Sequence, residues 1–242
     1  MEKKLDFLKR ILKESNYTVA LCGSGMLMEN DYYPLQSQER AYEIESKYGA
    51  GAEEMFTSAY YNTRPEQFFQ FYRTEVLRNL GPGESAYALA RMEKAGDIQC
   101  VITANVYEMA QRAGCSHVIN LHGSIYDNKC PRCGKAYDLD YIMKSRKVPL
   151  CEKCKITIRP GVLLYGEMMD SRIVETSTRE VEKADVLLLL GTSMNSYVFQ
   201  TYVRYFTGKY LVIIHKNQNI TDEKADLVIY DHPKNVLTQL GY

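Results

Sequence analysis

Short runs of aliphatic residues recur along the 242-residue chain and limit it to a small number of folds. Several runs are continuous stretches of Val, Ile and Leu, such as Val186–Leu190, with no polar residue between them. Such runs are typical of strands that are buried on both faces of a parallel sheet. The candidate strands are Tyr17–Leu21, Ile98–Thr103, His117–Leu121, Asp185–Gly191, Tyr210–His215 and Ala225–Tyr230.

Helical patterns lie between these strands. The clearest are Glu84–Ala95, Tyr107–Ala113, Ser171–Lys183 and Val198–Phe206. Repeated strand–helix–strand units with right-handed crossovers predict an α/β fold, a Rossmann-like parallel sheet with helices on both faces.

Two stretches interrupt this alternation and predict a small second domain. Residues 36–80 form a helical insertion rich in Phe and Tyr, and residues 124–159 contain two pairs of cysteines. The remaining residues, 1–35, 81–123 and 160–242, are expected to form the Rossmann-like domain. The aromatic residues of the insertion favour a helical core over an acyl-binding channel.

Four of the seven cysteines form two C-x-x-C pairs, with seventeen residues between Cys133 and Cys151. Each C-x-x-C turn directs two thiolates at one point, so two turns close a tetrahedron around Zn²⁺. Four sulfur ligands leave no position for water, so this zinc would be structural. A redox-active or disulfide pair is the alternative. The predicted metal ligands are Cys130, Cys133, Cys151 and Cys154, and the predicted small buried residues are Cys22, Cys100 and Cys115.

Charge and hydropathy argue against several classes of partner. The 30 basic and 30 acidic residues balance, whereas nucleic-acid-binding domains normally carry a basic excess. The N-terminal sequence is charged and amphipathic and lacks the apolar core of a signal peptide. The longest apolar run, Val186–Leu190, is far shorter than the roughly 20 residues of a membrane-spanning helix. We expect no nucleic-acid partner, no membrane association and a cytoplasmic location.

Short motifs follow the predicted strands, at the edge where open α/β sheets bind ligands. Glycines in G-S-G, after the first strand, let the backbone turn sharply and approach a phosphate, although an ordinary strand–helix turn has the same pattern. The other motifs are T-A-N-V-Y after the second strand, N-L-H-G-S after the third, I-R-P-G-V-L-L-Y-G-E after the cysteine pairs, and G-T-S after a later strand.

In this order the motifs resemble those of the sirtuin family over nearly the whole chain. The family pattern is G-A-G, T-Q-N-I-D with H-Q-R-A-G, L-H-G, two C-x-x-C pairs, R-P with F-G-E, and G-T-S. Sirtuins break the bond between nicotinamide and ribose in NAD and transfer an acyl group from lysine to ADP-ribose. The resemblance implies an NAD-dependent protein-lysine deacylase with NAD as co-substrate and one structural zinc ion.

The resemblance also implies roles for single residues. His122, from L-H-G, would be the catalytic base that activates a ribose hydroxyl, and Asn105 would act beside the nicotinamide ribose. An acylated-lysine peptide would pair with Val162–Glu167 by strand addition. Cofactor contacts would come from Gly23, Ser24, Gly25, Gln36, Asn105, Tyr107, Gly191, Thr192, Ser193 and His215.

The chain departs from the family pattern around the nicotinamide. The Phe and Arg of the family's cofactor loop are Leu35 and Gln36 here, and the Gln and Asp of T-Q-N-I-D are Ala104 and Tyr107. A tyrosine donates one hydrogen bond but is larger than Asp and uncharged at neutral pH. His215 stands where the family usually has an Asn. Two other functions therefore stay open: a protein mono-ADP-ribosyltransferase, and a non-catalytic sensor that binds NAD or ADP-ribose.

Overall fold

The structure is a computed structural model that describes residues 1–30, 32–35, 37–78 and 80–242, and only the backbone at Asn30 and Glu39. The strands are β1 (Thr18–Cys22), β2 (Cys100–Thr103), β3 (Val118–Asn120), β4 (Asn128–Lys129), β5 (Ala136–Tyr137), β6 (Val186–Leu190), β7 (Tyr210–Ile214) and β8 (Leu227–Ile229). The α-helices are α1 (Glu2–Glu14), α2 (Gln38–Tyr48), α3 (Ala52–Met55), α4 (Ser58–Thr63), α5 (Pro65–Phe71), α6 (Glu84–Ala95), α7 (Met109–Ala113), α8 (Leu139–Lys144), α9 (Ser171–Lys183), α10 (Gln200–Val203) and α11 (Pro233–Gln239). Short 3₁₀ helices cover Ser24–Met26, Met28–Asn30 and Ile220–Lys224, and a π-helical turn covers Tyr72–Val76.

The strands predicted from the aliphatic runs form one parallel sheet in the order β3-β2-β1-β6-β7-β8. From β1 the chain moves outward through β2 and β3, and it then returns to the other side of β1 for β6. In the register, Ala20 of β1 lies opposite Val101 of β2 and Leu188 of β6. The strand order therefore reverses between β1 and β6, the position at which such sheets bind ligands.

The sheet is covered on both faces. All five residues of Val186–Leu190 are at most 1% exposed, and alternate residues of a strand point to opposite faces. One face is covered in part by α1, because its Leu8, Ile11 and Leu12 belong to the same buried cluster as Leu188. The Rossmann-like fold class is confirmed.

The helices agree with the predicted ones except at three ends, the start of α7 and both ends of α10. The bounds of α6 and α9 match, whereas α7 and α10 are shorter than the predicted Tyr107–Ala113 and Val198–Phe206. Glu108 has a left-handed φ of 52°, so a helix cannot run through it to α7. After α10, Tyr205 and Phe206 donate to carbonyls three residues earlier, which is 3₁₀ and not α geometry. No helix in the described ranges is both long and apolar enough to cross a membrane.

The chain divides into two compact units. The first comprises Met1–Tyr32, Gly81–Leu121 and Asp170–Tyr242, and the second comprises Tyr33–Leu80 and His122–Met169. Residues 33–35, 122–123 and 160–169 therefore lie in the second unit, although the sequence placed them with the Rossmann-like sheet. Backbone bridges explain the position of the segment 160–169, because they pair it with residues of the second unit: Gly123 with Val162, and Thr57 with Tyr165.

The helical part of the second unit has an aromatic core. Phe68, Phe69, Phe71 and Tyr72 are completely buried. Phe56 stacks on Phe68 with the ring centroids 6.3 Å apart. Aromatic pairs of this kind contribute about 0.5–1.5 kcal/mol beyond the burial of their area. The aromatic residues of residues 36–80 thus serve as core, as the helical pattern favoured.

Candidate active site

The carboxyl ends of four parallel strands carry predicted cofactor residues in the first unit. Gly23–Gly25 follow β1, Asn105 follows β2, Gly191–Ser193 follow β6 and His215 follows β7. Because β1 and β6 are neighbours, the two glycine motifs lie on either side of the reversal in strand order. The sheet therefore brings these residues to the edge that binds ligands in open α/β folds.

The two glycine loops pack backbone against backbone. Gly23 N donates to Leu190 O and Gly25 N donates to Gly191 O, each at 2.9 Å. A Cβ on Gly25 would lie 2.7 Å from the Gly191 Cα, and a Cβ on Gly23 would lie 2.5 Å from the Thr192 Cβ. Gly191 also has a left-handed φ of 60°. Packing between the loops thus requires small residues here, in addition to the predicted approach of a phosphate.

Asn105 is buried and its carboxamide is held from both ends. Its Nδ2 donates to Thr103 Oγ1 at 2.7 Å, and its Oδ1 accepts from Tyr107 N at 3.1 Å. The Thr103 hydroxyl also accepts from Asn105 N at 3.2 Å. An amide does not titrate near neutral pH, so this residue is suited to positioning a ligand or a water molecule and not to transferring a proton.

Tyr107 is joined to the loop that follows β1. Its hydroxyl and that of Tyr32 are 2.6 Å apart. The two rings meet edge to face, with centroids 5.3 Å apart, and both are at most 4% exposed. No motif in the sequence predicts this pair. The cofactor contact of Tyr107 stays a prediction, and Gln36, another predicted contact, lies outside the described residues.

An open pocket lies beside Asn105 in the first unit, with about 330 Å³ of empty space that includes open solvent. Its lining is largely apolar, with Glu29 and Ser85 among its polar residues. Glu29 Oε1 accepts from the Ser85 hydroxyl at 2.5 Å and from Ser85 N at 3.2 Å, so Glu29 binds the first turn of α6. Burial raises the pKa of Glu29 even though the bonds from Ser85 lower it. The pocket thus places one carboxylate among apolar side chains beside Asn105.

His215 is paired with a buried carboxylate that no sequence motif predicts. Its Nε2 lies 2.9 Å from Asp222 Oδ2, and the same oxygen accepts from Asn219 N at 2.8 Å. Asp222 is only 2% exposed. Because Nε2 is engaged, Nδ1 is the ring nitrogen that remains for a ligand. The predicted contact of His215 with the cofactor stays a prediction.

The predicted base, His122, lies in the second unit and its backbone is tightly held. Its carbonyl accepts from Leu163 N at 2.9 Å. Gly123 has a left-handed φ of 74°, and a Cβ there would lie 2.1 Å from Gly161 O. The glycine of L-H-G is therefore required by a close backbone approach. This geometry gives the histidine a fixed main chain, and its catalytic role stays a prediction.

The predicted docking edge is not a continuous strand in the described chain. Only Val162 and Tyr165 of this range take part in isolated bridges. Tyr165 N donates to Phe56 O and Tyr165 O accepts from Ser58 N, each at 3.0 Å. These bonds hold Tyr165 within the second unit, and docking of a peptide along Val162–Glu167 stays a prediction.

The two C-x-x-C turns face each other in the second unit. The four Sγ atoms lie within 4.8 Å of one another, and those of Cys133 and Cys151 are 3.7 Å apart. Four Zn–S bonds of roughly 2.3 Å give a tetrahedron with edges of about 3.8 Å, so this spacing fits zinc. Both turns end in a left-handed residue, Gly134 with φ 71° and Lys155 with φ 56°. All seven cysteines are free thiols, so the structure disagrees with the disulfide alternative.

Comparisons with known proteins agree with this geometry. Residues 37–198 match the Sir2 family. An NAD-dependent protein deacetylase of Clostridium acetobutylicum is 35% identical over 97% of this chain and 96% of its own length. A solved complex of a Sir2 homologue with NAD has a TM-score of 0.84 and 28% identity, over 97% of this chain and 91% of the other. A sirtuin bound to a propionylated peptide has a TM-score of 0.81 and 27% identity, over 98% of this chain and 97% of the other. The chain belongs to the Sir2, or sirtuin, family.

Proposed function

We propose that this protein is an NAD-dependent protein-lysine deacylase that transfers an acyl group from lysine to ADP-ribose and releases nicotinamide. The observation that carries the proposal is the sheet edge at which two packed glycine loops and the fixed Asn105 flank the reversal in strand order. The named activity of the clostridial relative and the NAD and peptide complexes of the solved neighbours support it.

The ADP half of NAD would bind along the glycine loops. Backbone N–H groups around Ser24, Thr192 and Ser193 are suited to phosphate oxygens, since small residues allow the main chain to approach closely. Asp222 would hold His215 so that Nδ1 faces the adenosine side. The first unit would thus be the NAD-binding domain, and NAD would supply the ribose carbon whose bond to nicotinamide breaks.

His122 and Asn105 would share the work at the ribose. An imidazole titrates near neutral pH, so His122 can accept a proton from a ribose hydroxyl. Asn105 would orient the ribose and a water molecule, because Thr103 and Tyr107 hold its carboxamide in place. This division gives proton transfer to one residue and positioning to the other.

Zinc would hold the second unit together without taking part in the reaction. Cys130, Cys133, Cys151 and Cys154 supply four sulfur ligands, and a tetrahedral ion with four thiolates has no open position. Ligand distances in the cluster support this assignment. The ion would therefore affect turnover only through the fold.

The acylated-lysine peptide would dock at the Gly166 end of the predicted edge. The N–H and C=O of Tyr165 are already bonded to the second unit's own chain, and Glu167 N donates to Leu164 O, which leaves the backbone of Gly166 and the carbonyl of Glu167 for strand addition. Gly166 has a left-handed φ of 85°, so the backbone changes direction there. The protein substrate and a cytoplasmic location stay predictions.

A single incubation tests the proposal against its alternatives. The protein is mixed with NAD and a panel of acyl-lysine peptides, and nicotinamide, acyl-ADP-ribose and the mass of the protein are followed together. Formation of acyl-ADP-ribose is the expected result. A gain in protein mass would identify an ADP-ribosyltransferase, and binding of NAD without turnover would identify a sensor.

His122→Ala provides the matching variant. Removing a general base typically slows a reaction about 10²- to 10⁴-fold. Binding of the ADP half of NAD does not use the His122 side chain. We expect acyl-ADP-ribose formation to fall by that factor and the affinity for ADP-ribose to stay the same. His232→Ala, which removes a histidine with no predicted role, is the control. Equal turnover in wild type and His122→Ala would exclude His122 as the base.

A further inference from the structure

A second group of metal-binding side chains lies at the opposite ends of the strands, within the first unit. Cys100 begins β2, His117 directly precedes β3, and Glu180 lies in the last turn of α9. One ligand atom from each side chain lies within 4.8 Å of the others. The predicted cofactor residues follow the carboxyl ends of the strands, so the length of β2, roughly 10 Å, separates the cluster from them.

Neighbouring groups already orient two of the three side chains. His117 Nδ1 lies 2.8 Å from Gln99 O, which makes Nε2 the nitrogen with a lone pair for an ion. The Tyr17 hydroxyl donates to Glu180 Oε2. Metal-binding histidines usually donate their other N–H to a carbonyl or carboxylate, and ligating carboxylates are themselves hydrogen-bonded. The cluster therefore has the outer hydrogen bonds that are typical of a metal site.

The donor set determines which ions fit. A thiolate, an imidazole and a carboxylate suit Zn²⁺ and its first-row neighbours, whereas Mg²⁺ and Ca²⁺ prefer oxygen ligands alone. His117 is exposed, so water can complete the coordination. We propose that Cys100, His117 and Glu180 bind a divalent transition-metal ion, with Zn²⁺ the best match, at a site separate from the four-cysteine module.

Binding must displace two existing partners. Burial, and then the charge of Glu180, raises the pKa of the Cys100 thiol to about 12, so the ion releases that proton to solvent as the Zn–S bond forms. Lys183 Nζ lies 2.8 Å from Glu180 Oε1, and the ion would take over part of the role of the Lys183 ammonium in neutralising the Glu180 carboxylate. Both changes oppose binding, so this site has a lower affinity for Zn²⁺ than four thiolates in one module.

The ion would connect three elements of the first unit. It would tie α9 to the amino ends of β2 and β3, which are already joined to each other by the hydrogen bond from Val101 N to His117 O. A ligand that binds only the folded state stabilises it by mass action. Zinc added after the four-cysteine module is filled should therefore raise the midpoint of thermal unfolding, and His117→Ala should abolish that rise.

Equilibrium dialysis of the full chain against Zn²⁺, followed by elemental analysis, tests the proposal. We expect the wild type to hold one more Zn²⁺ per chain than either His117→Ala or Cys100→Ser. Cys115→Ser, which changes another buried cysteine of the same unit, is the matched control and should hold as much zinc as the wild type. The comparison is a difference between variants, so it does not depend on how much metal the four-cysteine module retains.

Cobalt gives an independent readout. Co²⁺ is added to protein in which the four-cysteine module holds zinc and the second site is free. It should produce thiolate-to-cobalt charge-transfer absorption in the wild type and in Cys115→Ser, but not in Cys100→Ser. If Cys100→Ser does not fold, because the residue is only 1% exposed, then His117→Ala, at an exposed position, decides the question. Equal zinc content in wild type and His117→Ala, or no cobalt absorption in the wild type, would overturn the proposal.

Discussion

Gly25→Ala tests whether the two glycine loops depend on packing against each other. The added Cβ would lie 2.7 Å from both the Cα and the carbonyl oxygen of Gly191, and no rotation of a side chain can move these backbone atoms. Overpacking costs about 1–3 kcal/mol, and loss of the hydrogen bond from Gly25 N to Gly191 O adds about 0.5–1.5 kcal/mol. We therefore expect the free energy of unfolding to fall by about 2–4 kcal/mol. We also expect weaker binding of ADP-ribose, because the loops must separate.

Urea unfolding and calorimetry with ADP-ribose measure the two effects. Gly81→Ala is the matched control, because no atom lies within 4 Å of its new Cβ and its φ is outside the left-handed region. An alanine at such a position stabilises by about 0.4–1 kcal/mol through the unfolded chain. Unfolding of Gly25→Ala and Gly81→Ala at the same urea concentration would show that the loops do not depend on this packing. If Gly25→Ala is stable but no longer binds ADP-ribose, the glycine is needed only so that the ligand can approach the backbone.

Four further results are expected. Cys151→Ser should release zinc and lower turnover through unfolding of the module; retained zinc on elemental analysis would contradict this. ADP-ribose should bind about as tightly as NAD, and nicotinamide should inhibit weakly, because Tyr107 replaces the Asp of the family; calorimetry and inhibition assays check both. Leu188→Ala should cost about 2–5 kcal/mol in urea unfolding, against about 0.5 kcal/mol or less for the exposed Leu150→Ala. Asp222→Ala should weaken ADP-ribose binding, because His215 loses the carboxylate that orients its ring. Turnover at saturating NAD should stay nearly unchanged.

The sheet and its order of elements were predictable because their signals are local. A run such as Val186–Leu190 can only be buried on both faces, and in the structure it is the strand next to β1. Helix α6 ends where expected because Gly96, with a φ of 78°, adopts the left-handed conformation that stops a helix. The cysteine cluster was predictable for the same reason, since C-x-x-C spacing alone brings two thiols together.

Contacts between distant residues were not predictable in this way. Tyr32 and Tyr107 are 75 residues apart, and Glu29 and Ser85 are 56 apart, so no spacing or period connects them. Each pair joins the loop after β1 to another element. The resemblance implied a docking edge at Val162–Glu167, but the bonds made by Tyr165 depend on residues about a hundred positions earlier in the chain. Such contacts become visible only in three dimensions.

The path of the chain between the two units limits how the protein could be rebuilt. Each unit is assembled from separate segments, and the backbone passes from one unit to the other four times, near residues 32, 80, 121 and 169. No single cut releases a complete unit, and neither unit corresponds to one uninterrupted stretch of coding sequence. The small unit therefore cannot be exchanged between relatives as one cassette; a working chimera needs both Tyr33–Leu80 and His122–Met169 from the same parent.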